Sequence, residues 1–261
     1  MNQISSRENP LIKRIRALSN SARDRRKLGQ TVLDGDHLLS AALAAGRVPE
    51  AVVVSDQGLL RPAIAAVVEQ AETDCPVSVV PAALLDQISP VASTAGVLAV
   101  VPIPEASLPP GSGDAILLDQ VQDAGNLGTL MRSATAAGIR HVLLTPGCAQ
   151  AWSPKTLRAA MGAHFVCEIH ESLDADAWLS AYEGEVFATC LGVGAADLFN
   201  ADLKPQGVWL FGAEGAGLSP VLLARATRRL TIPMPGGIES LNVAAAAAVC
   251  LFEQVRQRLS R

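Results

Sequence analysis

The chain has 261 residues, 49% of them hydrophobic and 18% charged, with a formal net charge of −4. This supports one large core or two modest ones and excludes disorder as the main state. The longest apolar run, 243–252, is well short of the ~20 residues that span a bilayer, so no transmembrane helix is expected. The opening MNQISSRENP has no apolar core of a secretory signal, and a cytoplasmic protein is expected. Cys75, Cys148, Cys167, Cys190 and Cys250 are odd in number, scattered and without a C-x-x-C pair. They read as reduced, mostly buried thiols, with neither a disulfide framework nor a metal site expected.

The net charge hides an asymmetry. Residues 1–30 carry eight bases (Arg7, Lys13, Arg14, Arg16, Arg23, Arg25, Arg26, Lys27) against Glu8 and Asp24, a local +6, so the remaining chain carries −10. A basic segment on an acidic body suits phosphate contact at one place; a solvated basic helix would show the same pattern.

From Thr31 onward, short β-rich runs alternate with alanine-rich amphipathic stretches, which predicts an α/β chain. Strands are expected at 31–35, 51–55, 76–80 and 96–103, and helices at 37–45, 61–71 and 82–88, with Pro62 in the first turn of the second. Proline, glycine and serine crowd 104–113 and mark a domain boundary. The second half predicts a strand at 115–121, a helix from about Gly128 to the stop at Gly138, and strands at 141–145, 165–169, 186–190, 208–212 and 230–234. Ser153-Pro154 and Ser219-Pro220 each read as an N-cap before a first-turn proline. A final helix is expected over 240–259, its VAAAAAVC half apolar all round and suited to tight packing against the sheet or another subunit.

Ligands of open α/β sheets sit beyond the carboxyl ends of strands, so the loops there carry the information. Three are glycine-rich and also bear hydrogen-bonding side chains: QDAGNLGTLMRSA with Asn126 and Arg132, AEGAGLSP with Glu214, and PGGIESLN with Ser240 and Asn242. No G-x-x-x-x-G-K-[ST] loop is present. GVGAAD at 192–197 approaches a dinucleotide fingerprint, but Asp197 replaces its third glycine and Pro205 curtails the crossover helix. NAD binding is therefore not expected.

Taken together, DQVQDAGNLGTLMRSA, LFGAEGAGLS and IPMPGGIESLNVAAAAA resemble, in order, the three motifs of the SpoU (TrmH-like) RNA ribose 2′-O-methyltransferases of the SPOUT class. SPKTLRAAMGAHF at 153–165 resembles the segment between the first two motifs. The first half, with its NPLIKRIRAL lead-in and VLDGDHLL start, resembles the substrate-binding domain that often precedes the catalytic one. One departure is Ala124, where the family usually has proline.

The resemblance implies a small N-terminal α/β substrate-binding domain (1–105), a linker (106–113) and a C-terminal α/β methyltransferase domain (114–261) with a parallel sheet. Periodicity alone predicts an ordinary sheet, since knotted chains are rare; the family implies a trefoil knot holding S-adenosylmethionine and a homodimer through the C-terminal domain. It places the cofactor against the second and third motifs, which assigns its backbone and apolar walls to Leu210, Gly212, Gly217, Ile232, Met234 and Leu241. Asn126, Arg132, Glu214, Ser240 and Asn242 become the catalytic candidates. Lys13, Arg14, Arg16, Arg25 and Arg26 become the RNA contacts.

The implied reaction is methylation of a ribose 2′-hydroxyl of structured RNA, ribosomal RNA favoured over transfer RNA. A same-class enzyme acting on a base, or a non-catalytic RNA-binding protein, are the alternatives. Arg132, read as lying in the first turn of its helix, would grip phosphate there. A guanidinium holds its proton too firmly to act as a base. Helix capping alone is the plainer reading of Asn126, Ser240 and Asn242. Glu214 needs a partner, which could be Arg132, Asn126 or a loop amide. His164 reads as structural or RNA-facing.

Overall fold

The computed structural model describes residues 1–91, 94–107, 109–190 and 194–260. The chain divides into two units, Met1–Glu105 with Trp152–Phe165, and Ala106–Ala151 with Val166–Arg261. Among the described residues no helix is long and apolar enough to cross a membrane.

In chain order the first unit contains β1 (Asn2–Gln3), α1 (Pro10–Asn20), α2 (Ala22–Leu28), β2 (Gln30–Asp34), α3 (Asp36–Ala44), β3 (Ala51–Ser55), α4 (Pro62–Glu72), β4 (Val77–Val80), α5 (Ala82–Ile88) and β5 (Val97–Pro102). Its sheet has the order β1-β4-β3-β5-β2, with β5 antiparallel to both neighbours and the other pairs parallel. The basic lead-in folds as α1 and α2. Asn9 caps α1 through Leu11 N, Pro10 fits the first turn, and Ile12, Ile15 and Leu18 at helical spacing are fully buried against Val32, Val53, Leu85 and Val100. The segment from 152 groups here too: Thr31 Oγ1 donates to Trp152 O at 2.7 Å, and Trp152 meets the buried His164 ring edge-on at 5.0 Å. His164 is thus a packed core residue.

Completing the chain are β6 (Ala115–Asp119), α6 (Ala124–Ala136), β7 (His141–Leu144), α7 (Pro154–Ala160, in the first unit), β8 (Glu168–His170), α8 (Ala175–Ser180), β9 (Glu185–Thr189), β10 (Ala196–Asp197), β11 (Gly207–Gly212), α9 (Pro220–Ala224), β12 (Arg228–Thr231) and α10 (Val243–Leu259). All pairings in this seven-stranded sheet are parallel, in the order β10-β12-β9-β11-β6-β7-β8. β6 lies between β7 and β11, so the chain leaves it one way for β7 and returns on its other side as β11. That reversal makes the carboxyl ends of β6 and β11 the natural ligand crevice. Trp209 is sandwiched between Phe187 and Phe211, and its indole Nε1 donates to Gln254 of α10 at 2.9 Å, fixing that helix to the sheet. α10 also packs against α6.

Several boundaries differ from the sequence expectation. α6 starts at Ala124 because Asp123 accepts from Asn126 N at 2.8 Å and caps it four residues earlier than expected. α10 starts at Val243, and the strand expected over 230–234 ends at Thr231. The strand expected over 165–169 is displaced to β8, because a 3-10 turn occupies 163–165. In the near-fingerprint, Gly192 and Val193 lie outside the described residues. Asp197 accepts from Phe199 N at 2.8 Å, and the described residues between β10 and β11 form a 3-10 turn without an α-helix.

Candidate active site

Three segments converge beyond the carboxyl ends of β6, β11 and β12: the first turn of α6, the loop after β11, and the stretch from Ile232 to the start of α10. The loop after β11 folds back tightly. Ala213 and Gly217 exchange backbone hydrogen bonds of 3.1 and 2.8 Å, and Gly217 adopts a left-handed φ of +69°. A Cβ at Gly212 would lie 2.1 Å from the Gly217 carbonyl carbon, so only glycine permits this closure.

Beneath it lies a residue that sequence reasoning missed. Asp119, 4% exposed at the end of β6, accepts from Ser219 N at 2.8 Å and from Thr145 Oγ1 at 3.2 Å, tying the second loop to two strand ends. The signal was a carboxylate ending an otherwise apolar strand, where burial demands partners.

Over this base the structure joins three of the five catalytic candidates. Asn126 Nδ2 donates to Glu214 Oε1, and Asn242 Nδ2 donates to both Glu214 Oε1 and Asn126 Oδ1 at 3.0 Å. Asn242 Oδ1 meanwhile accepts from Ala244 N at 2.9 Å and Ala245 N at 3.3 Å, capping α10. Each sequence motif contributes one member, so the network closes the three loops on one another. Of the partners considered for Glu214, the structure selects Asn126 and adds Asn242. Asn126 is not a cap, since Asp123 fills that position, and Ser240 stands outside the helix, exposed and without a hydrogen-bond partner among the described residues.

Arg132 is placed otherwise than expected. With α6 starting at Ala124 it belongs to the third turn, so the N-terminal field of the helix is not what places charge there. It is exposed, has no ion-pair or hydrogen-bond partner among the described residues, and sits about 9 Å along the helix axis from Asn126. Its fork is open for an external anion.

The expected cofactor walls divide. Leu210 is fully buried in the sheet core with Leu117, Leu143 and Val208, leaving its backbone as the available part. Ile232, Met234 and Leu241 are half-buried on a stretch outside any strand or helix, and no atom lies within 4 Å of a Cβ placed on Gly236 or Gly237. Apolar side chains beside open glycine backbone fit an adenosine moiety, whose ring needs an apolar wall and whose polar edges need amides and carbonyls.

The basic face also divides. Arg25 is 6% exposed, and its guanidinium donates to Leu18 O at 2.6 Å and Ser19 O at 3.4 Å, closing the C-terminal carbonyls of α1. Its place among the RNA contacts is therefore corrected to a structural one. Arg14 is committed to Gln30 and Glu50, and Lys13 pairs with Glu8 at 2.6 Å. Arg16 and Arg26 are exposed, together with Arg23 and Lys27.

The SpoU rRNA Methylase family model matches residues 114–252, more than half of the chain. The chain belongs to this family. A second model, the MRM3-like substrate binding domain, matches residues 9–99. The 23S rRNA (guanosine(2553)-2′-O)-methyltransferase RlmP of Bacillus subtilis is 31% identical over 254 residues, covering 97% of this chain and 98% of that protein. Among solved structures, the AdoMet-bound rRNA methyltransferase from Sinorhizobium meliloti superposes with a TM-score of 0.85 at 30% identity, covering 99% of both chains. The SpoU methyltransferase AviRb from Streptomyces viridochromogenes, in complex with AdoMet, gives 0.85 at 25% identity over 97% of this chain and 100% of that one.

Proposed function

We propose that this protein transfers a methyl group from S-adenosylmethionine to a ribose 2′-hydroxyl of structured RNA, with ribosomal RNA as the substrate class. The observation that carries the reading is the Asn126–Glu214–Asn242 network, assembled from all three family motifs at the reversal point of a parallel sheet. The relatives' names support the acceptor: RlmP is a guanosine 2′-O-methyltransferase of 23S rRNA. The two AdoMet-bound structures support the cofactor.

Bound there, S-adenosylmethionine would supply an electrophilic methyl group for the ribose 2′-oxygen, with S-adenosylhomocysteine as the leaving group and the hydroxyl proton released to solvent. Ile232, Met234 and Leu241 would wall the cofactor, and Gly212 and Gly217 keep the adjoining loop closed. Through its two amide partners Glu214 holds the first and third motif segments in one geometry, and such positioning supplies much of the rate for an in-line displacement. Arg132 grips the phosphate next to the target ribose and orients the hydroxyl, while that phosphate assists proton loss.

Residues 1–105 serve as the RNA-binding domain, joined in the fold by 152–165, with 106–113 as linker and the rest of 114–261 as the methyltransferase domain, a division supported by two family matches flanking the linker. Exposed cations of α1 and α2 meet the RNA backbone. The second domain carries the family's trefoil knot and pairs with a second copy. Ala245 and Phe252 of α10 are exposed and Val249 between them half-buried, an apolar stripe that a partner would cover. The protein works in the cytoplasm.

Labelled S-adenosylmethionine incubated with the protein and ribosomal RNA, followed by mapping of the modified nucleotide, tests the reading. A 2′-O-methyl mark is the expected result, and a base methyl or no transfer overturns it.

A further inference from the structure

On the paired strands β7 and β8, at the edge of the sheet, His141, Glu168 and His170 offer one ligand atom each, all within 4.8 Å of one another. Strand register explains the grouping. His141 is paired directly with Glu168, and His170 follows two residues later on the same face. Three donors thus share one face at the edge of the sheet.

Two of these donors are otherwise unexplained. His141 Nδ1 and His170 Nε2 are both buried and have no hydrogen-bond partner among the described residues. The His170 residue is only 4% exposed, and leaving a buried ring nitrogen unsatisfied is costly. His141 Nδ1 lies 3.9 Å from Glu168 Oε2, beyond a hydrogen bond. Ser107 Oγ donates to Glu168 Oε2 at 3.1 Å, orienting the carboxylate as outer hydrogen bonds do around bound metals.

We propose that His141, Glu168 and His170 bind a zinc ion that clips the edge strand β8 to β7. Two imidazoles select zinc over magnesium or calcium, and two histidines with one glutamate form a known three-ligand zinc set with a fourth position open to water. Bonds of about 2.0–2.2 Å place tetrahedral ligand atoms about 3.3 Å apart. Rotation of the Glu168 side chain, which is 60% exposed, shortens its present 3.9 Å separation from His141 Nδ1, and ring rotation of the two histidines closes the rest.

The full chain, stripped with a chelator, is titrated with Zn²⁺ by calorimetry and with Co²⁺ by visible absorption. One ion per chain is expected, and Zn²⁺ should raise the melting temperature. Glu168→Gln, at an exposed position that leaves packing intact, should weaken Zn²⁺ at least tenfold and remove the thermal shift, with His141→Gln doing the same. Absence of binding to the wild type overturns the proposal. So does unchanged affinity in both variants, which would place the ion elsewhere, for example on the cysteines.

Discussion

Asn242 caps α10 with its oxygen and holds Glu214 and Asn126 with its nitrogen, so two substitutions separate the duties. Asn242→Asp retains a capping oxygen but sets a carboxylate against Glu214. Its melting temperature should stay near wild type while methyl transfer falls by at least two orders of magnitude. Asn242→Ala loses the cap as well, and denaturant unfolding should register about 1 kcal/mol. If Asn242→Asp is fully active, the network has no catalytic weight. Arg132 calls for a different comparison, because its side chain is exposed and without a partner among the described residues, which makes its replacement structurally neutral. Arg132→Lys keeps the charge and loses the planar fork, so transfer should drop roughly a hundredfold with cofactor affinity unchanged. Recovery of that variant toward pH 10 would instead favour a titrating base, since lysine loses its proton near ~10.4 and arginine does not.

Helix starts show where sequence reading succeeds and where it fails. The existence of α6 and α10 was legible from apolar periodicity, yet Gly125 made the first turn of α6 look like loop and hid Asp123 as its cap. That shift of four residues moved Arg132 from the first turn to the third and removed the dipole argument for it. The three motif loops were legible because glycine and polar side chains together after a strand have few structural uses. Their closure was not, since the Asn126–Glu214 and Asn242–Glu214 bonds join residues far apart in sequence. Nor could charge composition show that α2 turns Arg25 inward and Arg26 outward; helix phase relative to the core decides it. Arg25→Met should therefore destabilise the protein by about 2 kcal/mol, the scale of hydrogen bonds to a charged group, as read from denaturant unfolding. Arg26→Gln should leave the unfolding curve in place.

For the molecule as a whole, a separate domain at residues 1–105 invites cutting it away to isolate RNA binding. The structure argues against that route, because Trp152, Leu157 and Ala160 of the later segment are buried within the first unit. A chain beginning at residue 106 would expose them, and its loss of RNA affinity would be indistinguishable from misfolding. Charge removal in the intact chain avoids this. Arg16, Arg26 and Lys27 are exposed and form no ion pair among the described residues, so replacing all three with glutamine changes surface charge without touching the core. If the basic lead-in grips phosphate, each cation–phosphate pair removed flattens the slope of log affinity against log salt by a little under one unit, and the triple variant should flatten it by about two to three. Cofactor affinity, measured on the same preparation, should stay at the wild-type value because the proposed cofactor walls all lie at 210–241. An unchanged salt slope would show that the electrostatic hold on RNA comes from elsewhere, with Arg132 and its neighbours on α6 the next surface to test.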